Sequence, residues 1–324
     1  MSLLQRLNVK IGHAHDERVK TGVTVILPDA PAICGVDIRG GGPGTREISA
    51  LNNGGLITHI HGICLSGGSV YGLAAADAVT QYLGTHNRGF VAREGIPVSP
   101  IVPAAILFDN ANGGDKNWNT ASPSGQPPFY GLGQMACRAA DYREDEGAIG
   151  AGYGATAGLY RGGLGLAHET VNGTDIMAVI AANPVGSPYM PDTRCFWAWP
   201  YERDNEFGGQ RPPADYRAGL ARDTKLDMLK AAQNPAGQST VIGAVITNAA
   251  LGPSQAKRMA IMAQDGLAMS VQPSHTPLDG DTIFALSVGK QSCDTPIALS
   301  ELGAAAARCV ARALSRGVYV AGQI

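Results

Sequence analysis

The stretch NPAGQSTVIGAVITNAALG, residues 234 to 252, places two hydroxyl residues, Ser239 and Thr240, at the mouth of an apolar strand. A Ser or Thr hydroxyl is a poor nucleophile at neutral pH and needs a base, most often a histidine oriented by an acid. The seven histidines (His13, His15, His59, His61, His86, His168 and His275) offer no obvious partner, and no G-x-S-x-G elbow occurs. A chain cut immediately before a Thr acquires a different base. The new α-amine, with a reference pKa of about 7.7 to 8.0, can take the proton from its own hydroxyl. The same hydroxyl can make the cut by attacking the preceding carbonyl, through an ester that water then hydrolyses. Gly237, Gln238 and Ser239 would allow the tight turn that this attack requires. A polar turn running into a buried strand is equally what an ordinary sheet entrance looks like, so these residues alone leave both readings open.

Composition sets the bounds. At 324 residues with 44% hydrophobic content, the chain could form one large or two modest domains with a real core. Lys and Arg total 25 against 27 Asp and Glu, a net charge of -2, which implies no basic face for nucleic acid or anionic lipid. The start lacks a signal-peptide core and no apolar run is long enough to span a membrane, so a cytoplasmic protein is the expectation. The partner is then a small molecule or another copy of the chain. Six cysteines lie far apart without a CxxC pair, which argues against a structural zinc site and a disulfide framework. Glycine at 43 residues and proline at 20 predict many tight turns and close backbone approaches.

Stepping along the chain, TGVTVILP (21 to 28) and CGVDIRG (34 to 40) read as strands. RGGGPGTRE, residues 39 to 47, is too rich in glycine for a helix and lacks the Lys-Ser/Thr ending of a phosphate loop. Residues 61 to 84 pass from a strand through SGG into a helix; the amides of that turn either face a ligand or close the turn. GIPVSPIVPAAILFD (95 to 109) is a strand region followed by a long polar loop. A second glycine strip at 148 to 167 precedes the strand GTDIMAVIAANPVG, and residues 189 to 238 read as an excursion or linker with a short helix at TKLDMLKAAQ (224 to 233). From Thr240 the pattern is strand, helix, strand, helix. Asn183 at a strand end and Asp279-Gly280-Asp281 before a strand are ordinary turn formers by type. Extended alternation puts the two carboxylates on one side of the chain.

The ordered series TGVTVILP, RGGGPGTRE, LSGGSVYGLAAADAV, VPAAILFD, GAGYGATAG, GGLG, NPVG and TVIGAVITNAALG covers nearly the whole chain. With it the chain resembles the S58 family of self-processing N-terminal nucleophile hydrolases. That family includes L-aminopeptidase/D-esterase enzymes, β-peptidyl aminopeptidases and the nylon-oligomer endohydrolase. The resemblance implies an α/β fold, a four-layer αββα sandwich with two central sheets, formed by a single domain over 1–324. It implies cleavage into a larger fragment, 1–239, and a smaller one, 240–324, with Thr240 as nucleophile and Ser239 left behind. It also implies hydrolysis of small peptides, amides or esters, ω-amino-acid oligomers among them, without metal or organic cofactor, by a homo-oligomer, a tetramer.

By the same resemblance Asn183 supplies an oxyanion donor, and Asp279 and Asp281 hold the Thr240 amine and attract a substrate amine. The family's tyrosine has no clean match; Tyr130 is the candidate, with Gln134 at the strictly aligned position. The nylon-type members carry a lysine in or just after the GAGxGATxG strip, where this chain has Leu159, Tyr160 and Arg161, and no lysine occurs from Leu132 to Asp223. Arginine keeps the charge but cannot shuttle a proton. Asn248 stands where the family has an aspartate, removing a charge. Two other functions compete: a conventional serine or cysteine hydrolase using His61 or His168, and a non-catalytic assembly protein that keeps the fold.

Overall fold

The computed structural model describes residues 1–52, 55–119, 125–231 and 239–323. In chain order the first strands are β1 (Val9–Asp16), β2 (Thr21–Pro28), β3 (Ala32–Ile38), β4 (Gly44–Arg46), β5 (His59–Ile60), β6 (Ile63–Ser66) and β7 (Ala104–Ile106). There follow β8 (Thr156–Ala157), β9 (Tyr160–Arg161), β10 (Gly163–Val171), β11 (Thr174–Asn183), β12 (Thr240–Ala249) and β13 (Thr282–Gln291). The helices are α1 (Leu3–Leu7), α2 (Ala74–Thr85), α3 (Phe129–Arg138), α4 (Lys225–Ala231), α5 (Pro253–Ala263), α6 (Asp265–Ala268) and α7 (Pro296–Gly322). One sheet has the order β1-β2-β6-β7-β4 and the other β10-β11-β12-β13-β3-β5, with β8-β9 as a small ribbon.

Period-two alternation builds the layers. Ile242, Ala244 and Ile246 of β12 join Ile26, Ile63 and Leu65 in a core between the two sheets, while Val241 and Val245 point to a second core under α5 and α7. A third core, with Val23, Val25 and Phe129, lies between the first sheet and α2 and α3. Each fully buried Val, Leu, Ile or Phe contributes about 1.5–3 kcal/mol. The result is the four-layer αββα sandwich. Among the described residues no helix is long and apolar enough to cross a membrane, and all six cysteines are buried free thiols.

Several elements differ from the sequence reading. Of the region 95 to 109 only Ala104–Ile106 is strand, since prolines interrupt the rest. The glycine strip contains β10, a full strand. At Gly165 an added Cβ would lie 2.0 Å from the carbonyl oxygen of Ala313, so α7 rests directly on the strand backbone. Helix α3 was hidden by Gly131 and Gly133; the latter lets α3 approach the Ala75 backbone of α2. Residues 189 to 238 are no linker in their described part. Phe196 and Phe207 are buried in the core under α7, and Glu206 pairs with Arg312 and Arg316 of that helix. The helix expected at 224 to 233 is α4, and its last two residues, like Gly237 and Gln238, lie outside the described residues.

Candidate active site

The antiparallel register pairs Asn183, the last residue of β11, with Thr240, the first of β12. Parity puts both on the face between the sheets: Asn183 follows Met177, Val179 and Ala181, and Thr240 precedes Ile242 and Ala244. Because β12 and β13 run parallel with Ile242 opposite Thr282, the residues ahead of both strands also meet, Ser239 bridging to Asp279. The strand order thus gathers Asn183, Ser239, Thr240, Asp279 and Asp281 at one end of the larger sheet.

The Ser239–Thr240 peptide is buried, and it is held on both sides. The Ser239 amide donates to Leu278 O at 2.9 Å, and the Gly280 amide donates to Ser239 O at 2.8 Å. The Thr240 hydroxyl donates to the same carbonyl oxygen at 2.5 Å. A carbonyl that already receives a fixed N–H is polarised toward attack, and that donor strengthens its hold as oxyanion charge develops.

The RGGGPGTRE loop is a wall of this site. Arg39 N donates to Asp281 O at 3.0 Å and Gly42 N to Asp279 O at 2.7 Å, backbone against backbone. A Cβ on Gly280 would lie 2.6 Å from Gly42 O and 2.8 Å from Thr240 Oγ1, so a side chain there would press on the Thr240 hydroxyl. The SGG turn closes on the protein itself: Gly68 N and Thr21 Oγ1 each donate to the buried Asp109 carboxylate at 2.7 Å.

Each carboxylate of the Asp-Gly-Asp triplet is fully engaged. Asp279 accepts from Val185 N (3.0 Å), Thr276 N (2.9 Å) and Thr276 Oγ1 (2.6 Å). Burial, and then the charge of Asp281, raises its pKa above the usual carboxylate range. Asp281 accepts from Val241 N (2.9 Å), His275 N (3.2 Å) and His275 Nδ1 (2.8 Å). His275, in the left-handed region at φ 54°, therefore does have an acidic partner, and it fixes the orientation of Asp281.

Asn183 uses both ends of its amide. Oδ1 accepts from Thr156 N at 2.9 Å, and Nδ2 donates to Phe108 O at 2.9 Å, which leaves one of its two N–H groups for another acceptor. The remaining partner is a residue that sequence reasoning missed. Lys225 Nζ reaches Asn183 Oδ1 (3.1 Å), Asn183 O (3.2 Å) and Ser239 Oγ (3.0 Å). Burial lowers its pKa from 10.5 to about 7, against the opposing charges of Asp279 and Asp109. The segment is stitched in place by Lys225 N donating to Val185 O, Leu159 N to Asp223 O, and Tyr160 Oη to Asp223 Oδ2. A signal was available: the Thr224 hydroxyl donates to Asp227, a capping arrangement that puts a cation in the first helical turn, where the dipole disfavours it. Arg161, by contrast, is exposed.

Tyr130 is not brought to this group. It lies on α3, 39% exposed, with its hydroxyl bonded to Gln81 of α2, and Gln134 reaches the same Gln81 oxygen. The resemblance offered Tyr130 without a clean match, and α3 turns it outward. Asn248 sits at the far end of β12, accepting from Asp175 N. His61 Nδ1 accepts the Ile101 amide, and His168 is exposed on β10. Among the described residues no cluster of His, Cys, Asp and Glu is arranged to hold a metal ion.

A model of peptidase family S58 matches residues 7–324. An uncharacterized aminopeptidase of Mycobacterium tuberculosis is 40% identical over 309 residues, 92% of this chain and 85% of that protein. The 6-aminohexanoate-oligomer endohydrolase of a Kocuria species is 31% identical over 287 residues, 86% and 72% of the two chains. Among solved structures, a Burkholderia β-aminopeptidase superposes with a TM-score of 0.65 at 21% identity, over 96% of this chain and 84% of that one. The L-aminopeptidase D-Ala-esterase/amidase of Ochrobactrum anthropi gives 0.63 at 18% identity, over 96% and 83%. The chain belongs to peptidase family S58, and it is an amide hydrolase with the N-terminal nucleophile fold.

Proposed function

We propose that the chain cuts itself between Ser239 and Thr240 and that the mature enzyme hydrolyses small amino-terminal peptides, amides or esters with Thr240 as nucleophile. The observation that carries this reading is the Ser239 carbonyl, flanked by the Thr240 hydroxyl and the Gly280 amide beside a buried lysine. After cleavage the Thr240 amine accepts the hydroxyl proton and Oγ1 adds to the substrate carbonyl. The leaving amine departs with that proton, and water activated by the same amine releases the acid.

Lys225 is the base of the first cut, since the α-amine does not yet exist. Asp279 and Asp281 hold the strand ends around the nucleophile. With Asp109 they give the site more carboxylates than cations, which favours a substrate carrying a free amine. The resemblance to the 6-aminohexanoate-oligomer endohydrolase supports ω-amino-acid amides within that class. A homotetramer is the proposed assembly.

Intact-mass measurement with N-terminal sequencing tests the cut. Fragments of about 25 and about 9 kDa are expected, at ~110 Da per residue, the second beginning at Thr240. A single uncut chain with full activity, or a covalent inhibitor label elsewhere, would return the conventional hydrolase reading. Asn183→Ala is expected to cost about 3 kcal/mol of transition-state stabilisation, roughly a hundredfold in kcat per mature site. Unchanged turnover in that variant would remove Asn183 from the oxyanion site.

A further inference from the structure

Before the cut, Thr240 nitrogen is part of the scissile peptide and cannot act as base, so its hydroxyl proton needs another destination. Among the described residues the groups around the bond are few. Both oxygens of Asp279 and of Asp281 already accept two or more protein donors or a buried amide, and His275 Nδ1 faces Asp281. Lys225 remains, and its three contacts are not equivalent. Asn183 O and Asn183 Oδ1 can only accept, whereas the Ser239 hydroxyl can accept or donate.

A neutral lysine has two N–H groups and one lone pair. The two acceptors on Asn183 take the N–H groups, and among the described residues only Ser239 can point a proton at the lone pair. When Lys225 is neutral, the bond to Ser239 therefore reverses direction, and Ser239 Oγ is left with its lone pairs facing the chain it belongs to.

We propose, resting on Thr240 as the self-cleaving nucleophile, that the Ser239 hydroxyl relays the Thr240 proton to Lys225 during maturation. Ser239 is then a working part of the precursor. As Thr240 Oγ1 bonds to the Ser239 carbonyl carbon, its proton passes to Ser239 Oγ while the Ser239 hydroxyl proton passes to Lys225 Nζ. The atoms from Oγ1 through the carbonyl carbon, Cα and Cβ to Ser239 Oγ close a small ring around the first of these protons. The C=O electron pair moves to oxygen, where the Gly280 amide receives it.

The tetrahedral centre then expels the Thr240 nitrogen, which takes a proton back from the Lys225 ammonium along the same path. An ester between Thr240 Oγ1 and the Ser239 acyl carbon is left. One water adds to that carbon, the C–Oγ1 bond breaks, and Ser239 ends as a carboxylate with Thr240 bearing a free amine and hydroxyl. From then on the amine of Thr240 serves as base, and Ser239 has no part in turnover.

Burial places Lys225 near neutrality, with Asp279 and Asp109 as the charged groups that face it, so the neutral form that the relay requires is populated at ordinary pH. The residue before the cut thus needs a hydroxyl as well as small size.

The test follows precursor loss by denaturing gel after a short pulse of cell-free synthesis of the full chain, for the parent, Ser239→Ala and Ser239→Thr. Maturation of S239A is expected to be slower by about tenfold or more, within the range of lost acid–base assistance, with S239T close to the parent. In mixtures of H2O and D2O the parent rate should curve with deuterium fraction, as two protons move together, and the S239A rate should be linear.

Parent-like maturation of S239A, or equal slowing in S239A and S239T, overturns the relay, as does a linear deuterium dependence in the parent. A parent chain that never cuts before Thr240 fails the underlying reading instead, and the two failures are separate.

Discussion

Thr240→Ala is expected to leave the chain as one uncut polypeptide with no measurable amide hydrolysis. Both losses have one cause. In the proposed mechanism the hydroxyl that lies against the Ser239 carbonyl in the uncut chain is also the group that attacks substrate in the mature enzyme. Among the described residues no neighbouring group replaces it: Ser239 is on the wrong side of the bond, and Thr276 donates its hydroxyl to Asp279. The effect on turnover is expected to reach roughly 10⁶-fold, the scale on which removing a catalytic nucleophile acts. Thr240→Ser keeps the hydroxyl and should still mature. Intact mass reads the first effect and release of a chromogenic amine the second. A T240A chain that still ends at residue 239 and turns over substrate would sink the assignment.

The variant should also fold, because the Thr240 methyl and hydroxyl sit at a strand end while β12 is held by its full ladder to β11. Its melting transition should therefore resemble that of an uncut parent. That makes T240A the background in which properties of the precursor can be measured without cleavage intervening.

What the sequence made legible was set by backbone logic. Apolar alternation in TVIGAVITNA and the strand–helix pattern after it located β12, α5, β13 and α7, and the parity of those strands then carries Thr240 and Asn183 to the inter-sheet face. Asp279 and Asp281 are ordinary turn formers by type and were marked only by the resemblance; it is the parallel pairing of β12 with β13, a long-range contact, that bridges Asp279 to Ser239. The place of Tyr130 was not legible, since a helix places neighbours on different faces and only packing against α2 decides which face is exposed.

Lys225 was the least legible, although its surroundings are as well defined as those of Thr240. Its segment is short, charged and proline-flanked, which by composition is a connector. Its position is decided by long-range backbone bonds to Val185 and Leu159 that no local pattern encodes. Absence of a lysine between 132 and 223 was a true statement about the sequence, while the fold supplies an amine to Asn183 from two residues beyond that limit.

Lys225→Met is accordingly expected to slow self-cleavage by about 10²- to 10⁴-fold, the usual contribution of a positioned base. Methionine keeps the unbranched stem of the lysine without its amine and leaves no acceptor for the Thr240 proton. Lys225→Arg should be no better, because a guanidinium stays protonated throughout the accessible range. The sign of the pH dependence follows from the direction of the shift. A lysine lowered to about 7 is neutral above that pH, so the parent's maturation rate should rise through about pH 7 and level off, and the inflection should be missing in K225M.

Stability gives a second, independent readout. Between about pH 7 and the ordinary lysine value of 10.5 the unfolded chain holds a proton that the folded chain does not, so folding stability gains with pH across that window. Below it, the folded chain must bury an ammonium. In the uncut T240A background, the melting temperature of the K225M variant relative to its parent should therefore be most favourable below pH 7 and should decline as pH rises toward 10.5. A maturation rate unaffected by K225M, with a pH profile that keeps its inflection, would assign the proton to another group and leave Lys225 as a structural tie between Asn183 and Ser239.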